Sequence, residues 1–132
     1  MNIERAYKLH GLGINTDTNL SNIIEYMENI FNDLKPYKFK KFGRYKYFFN
    51  SNDVCILEFY KPPQKHNILA MNDNIWNMLK DKYLLDFSQI TDLLSFFILK
   101  IFKIKIHRTT HYSDYHFNYI TKQYKNELIK SL

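Results

Sequence analysis

The stretch that decides the fold is Tyr37-Lys38-Phe39-Lys40-Lys41-Phe42-Gly43-Arg44-Tyr45-Lys46-Tyr47-Phe48-Phe49, together with Val54-Cys55-Ile56-Leu57-Glu58-Phe59-Tyr60 beyond the polar quartet Asn50-Ser51-Asn52-Asp53. Both runs are rich in aromatic and β-branched residues, which favour strands, and the quartet between them favours a turn. The reading is a β-hairpin over about 37–60. Gly43 interrupts the first run, so Phe42 and Gly43 mark a bulge or bend there. In the second run Cys55, Leu57 and Phe59 are expected to share one face, because strand side chains alternate.

On either side of the hairpin the spacing becomes helical. Leu20, Ile23, Ile24, Met27, Ile30, Phe31 and Leu34 recur at three and four residues, after Thr18 or Asn19 as N-cap and before Pro36. They predict a helix over about 18–35. Ile75, Trp76, Leu79 and Tyr83 predict a second helix over about 73–85, with caps among Asn72 to Asn74. Ile90, Leu93, Leu94, Phe97, Ile98 and Ile101 predict a third over about 88–101, apolar almost all round and therefore central. Phe117, Ile120, Tyr124 and Leu128 predict a last amphipathic helix over about 114–131 with Lys122, Lys125 and Lys130 outward. Asn2 to Leu9 reads as a short strand or arm, His66 to Ala70 as an extended piece, and Ile101 to Ile106 as a strand or a helix end.

The expected fold class is therefore α+β, a small antiparallel sheet packed against amphipathic helices, in one globular domain spanning residues 1–132. A strand, helix, strand, strand, helix, strand order of the ferredoxin-like kind fits this string of elements. The aromatic-basic signature of RNA-recognition modules is met only in part, at Lys40, Phe42, Gly43 and Tyr47. Lys41 stands where that signature needs glycine, Arg44 where it needs an aromatic ring, and the segment lies on the wrong strand, so no family follows.

Composition narrows the class of protein further. The chain has 132 residues, net charge +6 and a pI of 9.3; it is 45% hydrophobic and 17% aromatic, enough apolar surface for a core. Phe, Tyr, Ile, Asn, Lys and Met exceed half the residues, while Val54 is the sole valine and Ala6 and Ala70 the sole alanines. Such skew is the mark of an A/T-rich gene, as in an organelle, a phage or virus, a low-GC bacterium or a protist, and it discounts the lysine count as selection for charge. Cys55 stands alone, so the chain forms no internal disulfide and no cysteine cluster for zinc. Glu4 and Arg5 interrupt the stretch a signal peptide would need to be apolar, which points to an intracellular setting. The apolar run Leu93 to Ile106 is broken by Lys100, Lys103 and Lys105 and is shorter than the roughly 20 residues of a membrane span.

Function is read first from the hairpin. Lys38, Lys40, Lys41, Arg44 and Lys46 supply cations that neutralise phosphates, and Tyr45 and Tyr47 supply rings on which unpaired bases stack at roughly 1–3 kcal/mol each. The expectation is a non-catalytic binding or assembly protein, a basic-aromatic accessory subunit that contacts RNA, single-stranded DNA or an acidic protein face, with no cofactor or metal. The competing expectation is that the aromatic residues are simply the buried face of a half-buried sheet. The enzyme alternative is a small hydrolase or metal-dependent enzyme working through His107, His111 and His116, near Asp114. The helical zinc-protease pattern is absent, since Arg108 to Thr110 hold no glutamate, and the His107-Arg108-Thr109 pair of phosphoesterase type lacks its second copy. His10-Gly11-Leu12-Gly13 lacks the third glycine of a dinucleotide fingerprint. Cys55, inside an apolar strand, reads as a small hydrophobe and not a nucleophile.

Overall fold

The computed structural model describes residues 20–63 and 66–131. The expected arm at Asn2 to Leu9, the Gly11 and Gly13 turn and the cap at Thr18 or Asn19 lie outside the described residues, as do the side chains at 128, 129 and 131. In chain order the elements are α1 (Leu20–Asp33), β1 (Phe39–Phe42), β2 (Tyr45–Phe49), β3 (Cys55–Tyr60), β4 (Ile68–Met71), α2 (Asp73–Asn77) running into a π-helical turn (Met78–Lys82), α3 (Phe87–Phe102), β5 (Arg108–His111) and α4 (Asp114–Ser131). The fold is α+β, a five-stranded and mostly antiparallel sheet with four helices among the described residues.

The expected first strand, Tyr37 to Phe49, is itself a hairpin. Of the bulge or bend expected at Phe42 and Gly43, the structure has the bend, as the turn itself: Gly43 adopts φ +60° while Phe42 pairs with Tyr45 across it. A glycine at the first central position of a two-residue loop matches the right-handed twist of the strands it joins. Asn50 Oδ1 accepts the N–H groups of Asn52 and Val54, each at 3.0 Å, and folds the next turn. The bulge lies instead at Ile56, since Phe48 pairs with Leu57 and Phe49 with Cys55. This extra residue reverses one expectation: Cys55 points to the opposite face from Leu57 and Phe59.

The strands lie in the sheet in chain order, with β1 to β4 antiparallel and β5 parallel to β4. A parallel pair needs a crossover, and α2, the π turn and α3 supply it, so the ferredoxin-like order is replaced by a meander with one crossover. On one face Phe48, Leu57, Phe59, Leu69 and Met71 meet α1, α2 and α3, with Phe31 stacked on Phe97 at 5.4 Å between ring centres. On the other face Tyr47, Phe49, Cys55 and Ala70 meet Phe117, Ile120 and Tyr124 of α4. The sheet is thus the middle of three layers. α3 starts at a full capping box, Asp86 Oδ1 accepting from the Gln89 N–H at 2.8 Å and Gln89 Oε1 from the Asp86 N–H at 2.9 Å. It ends at Lys103, left-handed at φ 58°, so Ile104 to Ile106 continue as a connection and not as strand. Among the described residues no helix is long and apolar enough to cross a membrane.

Candidate functional site

The pleat distributes the basic-aromatic residues between the two faces. Phe39, Lys41 and Lys46 lie on the face of α1 to α3, whereas Lys40, Phe42, Tyr45 and Tyr47 lie on the face of α4. Lys40 Nζ is 2.6 Å from Glu127 Oε2 of α4, and Lys38 Nζ is 3.9 Å from Asp53 Oδ1. Both cations are thereby partly neutralised. Tyr45 stacks on Tyr60 at 4.5 Å and Tyr47 on Tyr124 at 5.6 Å. Tyr47 is buried, and burial first, with the Glu58 carboxylate second, pushes its phenol well above the usual range. The expected seven-residue surface is therefore divided between the two sides of the sheet.

What remains is narrower and more strongly charged. Lys41 and Lys46 are directly opposite one another on β1 and β2. Like charges in that position repel. Together with Arg44 in the turn and Lys61 just beyond β3 they line a groove of about 390 Å³ whose wall also includes Phe59, Asn67 and Ile104. Among the described residues none of these four cations pairs with a carboxylate. Arg44 reaches the Lys61 carbonyl at 3.5 Å, and Lys46 Nζ lies 5.8 Å from the ring centre of Phe39. Phe39 is 47% exposed, so an aromatic face stands beside the cations. Lys61 escaped the sequence reading because it follows the strand and precedes Pro62; only the register of β2 on β3 brings it to the groove.

The three histidines of the enzyme alternative have separate partners. His107 Nδ1 accepts the Asn67 N–H at 3.2 Å and its ring meets His66 edge-on. His111 contacts the Asp73 carboxylate and stacks on Trp76. His116 Nε2 lies 2.8 Å from Glu58 Oε2. His111 and His116 work on opposite faces of the sheet, and no group of three His, Cys, Asp or Glu ligands converges among the described residues. Asp73 is held below the usual carboxylate range, chiefly by the Asp114 N–H that its Oδ2 accepts at 2.8 Å and then by His111.

Glu58 is the residue that sequence reading passed over. It is 4% exposed in the middle of the sheet. Burying a carboxylate costs several kcal/mol unless it finds a partner, and the His116 ring supplies a hydrogen-bond partner. Beside it a second cavity, of about 170 Å³, is lined by Tyr60, Ile68, Arg108, Thr110 and Tyr112. The signal was a single acid within Cys-Ile-Leu-Glu-Phe-Tyr, an otherwise apolar strand.

No protein-family model, curated protein or solved structure matches the chain.

Proposed function

We propose that the protein is a non-catalytic binding protein that holds single-stranded nucleic acid along the groove of Lys41, Arg44, Lys46 and Lys61, with Phe39 as a stacking face for a base. The supporting observation is the pairing of Lys41 opposite Lys46 with no carboxylate beside either among the described residues. A fold gains nothing by placing two cations across a strand pair, and an anion between them removes the repulsion. Phosphates spaced along a strand supply anions in series, and their neutralisation releases counterions. An exposed ring next to them selects unpaired bases over a closed duplex.

The test is an anisotropy titration of labelled single strands across a range of salt. Lys41→Glu with Lys46→Glu should abolish binding at physiological salt, while Lys40→Glu, on the other face and paired to Glu127, should leave most of it. Removal of one contact, by Lys61→Gln, should flatten the plot of log affinity against log salt by about 0.7. Equal losses from the Lys40 and Lys41/Lys46 changes would refute the groove. Binding of an acidic polypeptide in preference to either nucleic acid would move the groove to a protein partner.

A further inference from the structure

The cavity on the α4 side is separate from the basic groove and carries a different charge pattern. α4 packs mainly on β3 and β1, with Ala70 of β4 also against it, while Ile68, Arg108 and Thr110 further along the same face keep partly or fully exposed surface. There the register places Glu58 beside Ala70 and Ala70 beside Thr110, with Arg108 two residues along on the same face. Glu58 and Arg108 are thus two strand spacings and two residues apart, roughly 12 Å between their backbone positions. Both line the same cavity of about 170 Å³, yet they form no ion pair with each other. Glu58 Oε2 lies 2.8 Å from His116 Nε2. Arg108 has no carboxylate partner among the described residues.

A site of one carboxylate and one guanidinium, apart from each other and facing a shared small space, is selective in a particular way. A simple anion attracted to Arg108 is opposed by Glu58. A simple cation attracted to Glu58 is opposed by Arg108. Only a ligand with both charges satisfies both walls. Tyr60, Tyr112 and Ile68 share the lining, and the Thr110 hydroxyl adds a donor and an acceptor to it. The volume suits a molecule of a few heavy atoms and not a peptide or nucleotide.

We propose that this cavity binds a small amino-acid-like zwitterion, its ammonium group on Glu58 and its carboxylate on Arg108. The guanidinium fork receives a carboxylate through two parallel hydrogen bonds, which fixes the orientation of the ligand. Glu58, tied at Oε2 to His116, accepts hydrogen bonds from the ammonium. The aliphatic part lies over Ile68 between the two tyrosines. This site stands whether or not the groove on the opposite face holds nucleic acid.

Calorimetric titration of the whole chain tests it with glycine, β-alanine and 4-aminobutanoate as zwitterions of increasing charge separation, and with ethylamine and propionate as their isolated halves. At least one zwitterion should bind tenfold or more tightly than either half, and Arg108→Gln should remove that advantage. Arg108 is exposed at the rim, so its replacement leaves the core intact; Glu58→Gln should act likewise, and nitrogen-edited NMR spectra of both variants report whether the fold is retained. In the same spectra the amides of Tyr60, Ile68 and Thr110 should shift on binding. Propionate binding as tightly as the best zwitterion would overturn the proposal in favour of a plain anion site. Failure of every zwitterion to bind, or binding that Arg108→Gln leaves unchanged, would overturn it outright.

Discussion

Cys55 has no exposed surface, and its Sγ points to the Leu57 carbonyl at 3.8 Å. Burial first and the Glu58 carboxylate second push its thiol far above the usual value. Because the thiolate is the reactive form, native protein at pH 8 should react with iodoacetamide at least about tenfold more slowly than protein in denaturant, as followed by mass spectrometry. Equal rates would place the thiol in solvent. The burial of Cys55 was readable from its apolar neighbours, but its direction was not. One extra residue at Ile56 turns it to the α4 face, where its N–H donates to Thr121 Oγ1 at 2.8 Å. A bulge is a property of two strands together, and nothing in Val-Cys-Ile-Leu announces it. The same holds for Lys41 and Lys46: their charge was plain in the chain, while their direct opposition follows from the Gly43 turn.

At the scale of elements, helices were legible and strands less so. The apolar spacing over 18–35, 73–85, 88–101 and 114–131 corresponds to Leu20–Asp33, Asp73–Lys82, Phe87–Phe102 and Asp114–Ser131, because a helix buries a stripe that its own sequence writes. β5 is different. Arg108-Thr109-Thr110-His111 has no apolar alternation, and its strand character comes from hydrogen bonds to β4. Its histidine therefore drew attention to metal chemistry and away from the sheet. α3 shows how local chemistry sets a boundary: Asp86 and Gln89 satisfy each other's backbone N–H groups. Asp86→Ala should destabilise the fold by about 1 kcal/mol. The expected signature in urea is a lower midpoint with an unchanged slope; an unchanged midpoint would show that the cap contributes nothing.

Across the whole molecule, Asp73 joins three parts that are distant in the chain. It opens α2, accepts the Asp114 N–H at the start of α4, and contacts His111 at the end of β5. Its carboxyl is lowered in the fold relative to the unfolded chain, by the Asp114 N–H first and His111 second. The folded form thus favours the carboxylate, so the contribution is complete above the ordinary carboxyl value of about 3.9 and is lost as pH falls through the lower folded value. Urea midpoints measured from pH 7 down to pH 3 should fall below about pH 4, and Asp73→Asn should fall less over that interval. Parallel curves for the two proteins would place the acid sensitivity elsewhere. The parallel partnership of β4 and β5 has a further consequence, in the order of assembly. Strands β1 to β4 meet their neighbours within a few residues, but β5 follows the whole of α2 and α3. As the chain is made, the outer edge of β4, with the fully buried Leu69 and Met71, has no mate until that crossover is complete. Unpaired apolar edges recruit foreign strands. The molecule's exposure to mispairing is thus concentrated in the interval between the emergence of Met71 and the arrival of Arg108, and four residues at the far side of α3 end it.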